Sequence, residues 1–204
     1  MTQQRAISTP RGRPRAFDID VVIDRAMNVF WSRGYHGTSL PDLLDATELS
    51  RGSLYAAFGD KHGLFLRALD LYIEESLRRF AVELGSSKGA TAGLRDFLTG
   101  YVDRTSGADG KRGCLVVATA MELAAHDGEV AARVASFFRR LEARLSDVLT
   151  RAQQTGELVD RVEPAQGARL LVCLVEGLRV IGKTAPSRAK TLASANAMVD
   201  LLTR

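Results

Sequence analysis

Between Ser50 and Phe58 the chain reads SRGSLYAAF, a segment suited to making contacts rather than to catalysis. Leu54 and Phe58, four residues apart, share one helical face and point to a core. Arg51, Ser53, Tyr55 and Ala56 lie off that face. Small side chains there let a backbone approach base edges, while an arginine and a tyrosine reach phosphates or bases. Ser50 is a natural N-cap, because its hydroxyl can accept an orphan backbone N–H. Gly59 stops this helix, and Asp60-Lys61 opens the next with Lys61 near the sugar-phosphate backbone. Upstream, Ser39 and Asp42 have capping-box spacing, with Pro41 tolerated in the first turn. Leu40, Leu43, Leu44 and Leu49 form an apolar face that needs a partner. Two short helices, a tight turn and a third helix following at once have the layout of a helix-turn-helix, whose second helix enters the DNA major groove.

The elements that must position this segment are legible on either side. Asp18 to Arg33 is amphipathic: Val22, Ile23, Ala26, Met27 and Phe30 follow helical spacing, and Gly34 sits where a C-cap belongs. Three helices in about 45 residues make a trihelical head. The plain alternative is a solvated helical bundle with no partner. The constellation as a whole, rather than Tyr55 alone, argues against it.

The run AMNVFWSRGYHGTSLPDLLDATELSRGSLYAAFGDKHGLF resembles the N-terminal domain of the TetR family of transcriptional regulators, over roughly Ile23 to Phe65. The resemblance rests on an F…GY.GTS block followed by S.G.LY..F..K..LF. It implies an all-α homodimer that binds a palindromic double-stranded DNA operator and lets go when a small molecule enters the C-terminal domain. By position, Thr38, Tyr55 and Lys61 match the family's phosphate contacts, with Ser39 beside them in the DNA-binding set. Arg51, Ser53 and Ala56 match positions that vary with operator sequence. One departure is Glu48, where the family usually has a turn glycine. A non-glycine there faces a positive φ at a cost of roughly 1 kcal/mol and places a carboxylate near the DNA.

Residues 1–17 form a basic arm with Arg5, Arg11, Arg13 and Arg15 and no acidic side chain. Pro10-Arg11-Gly12-Arg13-Pro14 resembles the core of an AT-hook. Prolines keep such a segment extended, and arginines favour a narrow A·T minor groove. On that reading Arg11 and Arg13 enter the minor groove next to the major-groove helix. A plain basic tail with non-specific attraction is the other reading. No apolar stretch follows the charges, so the arm does not read as a signal peptide.

Composition bounds the rest. The chain has 204 residues, is 46% hydrophobic and carries a net charge of +4, equal to the arm's four arginines. The body is therefore near neutral and the basicity local, a DNA-contact pattern rather than a membrane one. No apolar run approaches the length of a bilayer span. Cys114 and Cys173, without a secretion signal, point to free thiols in a reducing cytoplasm. His36, His62 and His126 show no metal-ligand spacing, His126-Asp127 reads as a cap region, and no catalytic arrangement or cofactor is expected.

After the head (18–62), residues 63–204 read as a helical ligand-binding and dimerisation domain. Helices are expected near Asp60–Leu84, Thr91–Arg104, Gly113–Ala125, Gly128–Gln154, Pro164–Lys183 and Ser187–Leu202. In the last two, Leu170, Leu171, Leu174, Val175, Leu178 and Ile181 make one stripe, and Leu192, Ala195, Met198, Val199 and Leu202 another. Gly167, Ala168, Gly177 and Gly182 would allow close approach of a second copy in a four-helix seam. The same stripes could instead serve the intrachain core. Gly177 to Thr184 satisfies the phosphate-loop pattern GxxxxGKT, and Leu170 to Val175 before it could pass for a buried strand, but its apolar spacing stays helical, Pro186 interrupts the helix that should follow, and no other βαβ unit is visible. Phe97, Tyr101, Cys114, Met121, Glu122, Phe137 and Phe138 are candidates to line the effector pocket, although most stand at helical spacing and read equally as ordinary core. Cys114, following Lys111-Arg112-Gly113 at a helix start, is expected to have a lowered pKa and to react with electrophiles; a small buried hydrophobe is the alternative. The sequence thus reads as a regulator, most simply a repressor released by a small-molecule or electrophile effector. The runner-up is a helical small-molecule-binding or thiol redox-sensing protein with little sequence-specific DNA binding.

Overall fold

The computed structural model describes residues 17–85, 89–184 and 186–204. It is all-α. Among the described residues ten helices follow in order: α1 (Ile19–Arg33), α2 (Leu40–Thr47), α3 (Arg51–Phe58), α4 (Lys61–Leu84), α5 (Ala90–Thr105), α6 (Gly107–Arg112), α7 (Leu115–Glu122), α8 (Gly128–Gln154), α9 (Pro164–Gly182) and α10 (Arg188–Leu202). A lone antiparallel bridge between Leu158 and Thr203 is the single β-type pairing among the described residues. None of the described helices is long and apolar enough to cross a membrane.

The head is built as its sequence dictates. Asp18 caps α1 by accepting the N–H groups of Asp20 and Val21, and Gly34 ends it at φ 74°. The expected face of α1, Val22, Ile23, Ala26, Met27 and Phe30, is buried. Phe30 meets Phe65 edge-on at 5.0 Å between ring centroids and stacks on Tyr35 at 6.2 Å. α4 is the spine: Leu64, Phe65 and Leu69 lie under the head, while Tyr72, Ile73, Leu77, Phe80 and Leu84 continue into the body core. The expected boundary between residues 62 and 63 therefore falls within the first turn of a helix.

In the body, one expectation changes. The helix expected from Gly113 to Ala125 is shorter than that. A separate short helix, α6, precedes it, and α7 is confined to Leu115–Glu122, with Gly113 (φ 76°) between them. The phosphate-loop pattern runs through continuous helix to Gly182, so its glycines form no cradle.

The broad stripe on α9 divides between buried and exposed residues. Leu171, Val175 and Leu178 are buried in the chain's own core, whereas Leu170 and Ile181 are 53% and 51% exposed. The stripe named on α10 turns inward: Ala195, Val199 and Leu202 are buried, with Leu192 and Met198 packed against them. The outward face of α10 is Ala193, Ala197 and Leu201 instead. The glycines are reassigned too. A side chain at Gly167 would meet Leu149 at 2.7 Å, and one at Gly182 would meet the Thr105 carbonyl at 2.7 Å. Ala168 is fully buried, so these three small residues fit helices within the chain and only Gly177 faces open space.

Candidate nucleic-acid interface and effector site

The α2–α3 turn is held by a closed set of hydrogen bonds. The Ser39 hydroxyl accepts the Asp42 N–H at 3.3 Å, and the Asp42 carboxylate accepts the Ser39 N–H at 2.8 Å. Hydrogen bonds from the Ser39 hydroxyl and backbone, joined by an ion pair with Arg33, bring the Asp42 carboxyl down to about 2. Ser50 caps α3 by accepting the Ser53 N–H at 3.1 Å, and the two hydroxyls lie 2.9 Å apart.

Leu54 anchors α3, fully buried, and Phe58 is half-buried beside it. Arg51, Tyr55 and Ala56 stand exposed on the outer face, with Ser53 at its edge. Lys61, at the start of α4, sits with Nζ 4.2 Å over the Tyr35 ring, so its amine is aimed by an aromatic plate. Tyr35 was legible only as part of the GY.GTS block, and its part in aiming Lys61 depends on two segments 26 residues apart meeting in space. Thr38 departs from expectation. It is 1% exposed, and its hydroxyl donates to the Gly34 carbonyl at 2.6 Å, so this side chain closes the α1–α2 corner and leaves no hydroxyl free for phosphate. Arg11 and Arg13 lie outside the described residues.

Glu48 adopts the left-handed conformation anticipated for it, φ 58° and ψ 21°, the one positive φ among described non-glycine residues. Its carboxylate pairs with Arg25 at 3.0 Å, which keeps it from standing alone beside α3. Glu48→Gly relieves about 1 kcal/mol of backbone cost and removes an exposed ion pair that contributes a similar or smaller amount. The variant is expected to melt within a few degrees of wild type while binding DNA a few-fold more tightly, measured by thermal unfolding and gel shift. Weaker DNA binding would show that Glu48 is needed in place.

Head and body are joined by polar contacts that the sequence did not reveal. The Glu122 carboxylate, expected in the effector pocket, instead accepts the N–H groups of Tyr35 at 2.9 Å and His36 at 2.7 Å. Trp31 donates its indole N–H to the Gly113 carbonyl at 3.1 Å. Arg112 donates to the Asn28 side-chain oxygen at 3.1 Å. His62 meets Asp127 at 2.6 Å, while Asp127 also caps α8, as its position before that helix implied.

The remaining pocket candidates divide. Phe97, Tyr101 and Phe137 are buried and cluster around Phe80, and Phe138 packs half-buried beside Phe137. Met121 is 86% exposed, in contrast to the buried candidates. Cys114 does sit at the N-cap of α7, but it is buried, and burial followed by the nearby Glu176 carboxylate pushes its thiol up rather than down. Desolvation outweighs the opposing pull of the Arg179 cation, so the direction is the reverse of the lowered pKa expected at this helix start. Cys173 is exposed on α9.

With this geometry in place, comparison with known proteins decides the lineage. Residues 22–68 match the model of bacterial regulatory proteins of the tetR family, and residues 90–197 match the tetracyclin repressor-like C-terminal domain. The chain belongs to the TetR family. Among its relatives, the HTH-type transcriptional repressor ComR of Escherichia coli K12 is 29% identical over 97% of this chain and 94% of its own length. An HTH-type transcriptional regulator of Bacillus subtilis, YezE, is 34% identical over 72% of this chain and 76% of its own. A solved structure of the TetR-family regulator CifR, a cysteine mutant complexed with 26-base-pair operator DNA, superposes with a TM-score of 0.81 at 33% identity, covering 94% of this chain and all of that one. This TetR-family protein is a DNA-binding transcriptional regulator whose α1–α3 form the helix-turn-helix domain.

Proposed function

We propose that this TetR-family protein represses transcription by occupying a palindromic operator as a homodimer, and that a small-molecule effector releases it. The observation that carries the reading is α3: capped at both ends, anchored by Leu54, and presenting Arg51, Tyr55 and Ala56 outward with Lys61 at its edge. Support also comes from the CifR complex with operator DNA and from the repressor ComR. Arg51, Ser53 and Ala56 read bases, Tyr55, Lys61 and the exposed Ser39 hold phosphates, and Arg11 and Arg13 reach the adjacent minor groove. The arm (1–17), the head (18–62) and the body (63–204) divide the work.

The dimer seam is the outward face of α9 and α10. Leu170, Val180, Ile181 and Leu201 are each more than half exposed there, beside a groove of about 440 Å³ between the two helices. Large apolar side chains grouped on one face of a single chain mark an association surface. Two copies joined there form a four-helix seam and set two heads on successive major grooves. The effector acts by shifting the population between two head–body arrangements. The protein acts on cytoplasmic DNA.

To test this, duplexes are selected from a random pool at near-physiological salt, and the enriched site is placed across a promoter in purified transcription. The expected result is a palindrome with half-sites about one helical turn apart and protein-dependent loss of transcript. Failure to enrich any site, or transcription indifferent to the bound protein, would contradict the proposal.

A further inference from the structure

A cavity of about 210 Å³ opens where the head meets the body, between α1, α4, α5, α6 and α9. Its flat apolar side is Met27, Trp31 and Tyr72, with the last two edge-to-face at 5.0 Å. Its other side is guanidinium. Arg104 is already matched, donating to Glu83 at 2.5 and 3.0 Å. Arg112 and Arg179 are not matched by any carboxylate among the described residues.

Arg179 is 6% exposed and lies over the Tyr101 ring at 4.6 Å. Its Nη1 reaches the Arg104 carbonyl at 3.5 Å, the outer limit of a hydrogen bond, and its Nε has no acceptor. Arg112 is stacked on Trp31 at 4.0 Å, and its Nε also lacks an acceptor. Glu176, one turn before Arg179, feels its attraction but closes no ion pair with it: its carboxylate oxygens stay without a close donor, and burial outweighs the pull of Arg179 and raises its pKa to about 7. Glu75, the one acidic residue on the cavity wall, is half-buried and forms no ion pair among the described residues.

Leaving a guanidinium buried without an anion is costly, and such an orphan calls for a partner. We propose that this cavity is a binding site for a small aromatic carboxylate, its carboxylate held by Arg112 and Arg179 and its ring laid against Trp31 and Met27. The planar fork of arginine matches a carboxylate with two parallel hydrogen bonds. Inorganic phosphate would leave the apolar wall bare. The volume lies below that of drug-sized pockets and suits a single ring. The occupant would sit beside the Trp31–Gly113 and Arg112–Asn28 contacts that join head to body, so its arrival bears on the setting of α1. This deepens the effector reading and rests on it for that consequence, whereas binding itself is tested without DNA.

Trp31 is the only tryptophan and lines the cavity, so its fluorescence reports occupancy. DNA-free protein is titrated with benzoate, with benzamide and inorganic phosphate in parallel, on wild type, Arg179→Met and Arg112→Gln. The site predicts a saturable response to benzoate at micromolar to millimolar concentration, none to benzamide, and affinity at least about tenfold weaker in each variant, as the loss of a charge-assisted hydrogen bond implies. Arg179→Met exchanges an unpaired buried charge for an apolar chain and is expected to hold or raise the melting temperature; a marked fall would show that Arg179 is already partnered and overturn the inference. Phosphate binding as well as benzoate would overturn the carboxylate assignment. No saturable benzoate response, or one indifferent to both substitutions, would overturn the site. Benzoate binding that obeys the arginine dependence yet leaves operator affinity unchanged would uphold the site and place the failure in the effector reading.

Discussion

Replacing Leu170 and Ile181 together by glutamate is expected to leave a folded monomer whose operator affinity has fallen on the order of a hundredfold or more, since a dimer gains its second half-site at high effective concentration. Both side chains are more than half exposed in the single chain, so the substitutions cost the fold little. Across a two-fold seam the same carboxylates would be buried without partners, at several kcal/mol each. Sedimentation velocity reads the assembly and gel shift reads the DNA. A variant that stays dimeric would move the seam elsewhere; one that becomes monomeric without losing operator affinity would remove two-fold symmetry from the account.

Phe30→Ala is the largest expected stability effect. Phe30 is fully buried, centred between Phe65 and Tyr35, and joins α1 to the spine helix α4. Truncating a buried phenylalanine costs about 3–5 kcal/mol through lost transfer energy and the cavity left behind, and the aromatic pair adds to it. For a chain of this size that corresponds to a fall in melting temperature of roughly 10 °C or more. Calorimetry is the check, with Val29→Ala, half-buried on the same helix, as a milder comparison. A loss below about 1 kcal/mol would mean that the head's core does not depend on this ring.

How much of this was legible in the sequence follows from how local each signal is. Caps are local: Ser39 with Asp42, Ser50 with Ser53 and Asp127 before α8 are all where spacing placed them. So was the strained turn at Glu48, because one missing glycine identifies one backbone position. What the sequence could not carry is which of two environments an apolar or polar residue meets. Leu170 and Leu171 are neighbours in one stripe, yet the first is exposed and the second buried. Glu122 looked like a pocket polar group, yet it accepts two backbone N–H groups 86 and 87 residues away. Thr38 illustrates the same limit, because a threonine in a recognition motif reads identically whether its hydroxyl meets a phosphate or closes a corner. For Cys114 the helix start and the adjacent cations were visible, while its burial beside Glu176 was not. The arginine cavity joins residues from five helices and has no motif at all.

The central claim is that α3 reads sequence. The direct measurement is the ratio of affinities for the selected palindrome and for a scrambled duplex of equal composition, at one fixed near-physiological salt, for wild type, Arg51→Ala and Tyr55→Ala. Wild type is predicted to prefer the palindrome by about a thousandfold or more. Arg51→Ala is predicted to shrink that ratio by roughly tenfold or more, as the loss of a base contact should, and Tyr55→Ala to weaken both duplexes, as the loss of a phosphate contact should. A wild-type ratio near one, or a large ratio that neither substitution disturbs, would show that α3 is not the reading helix.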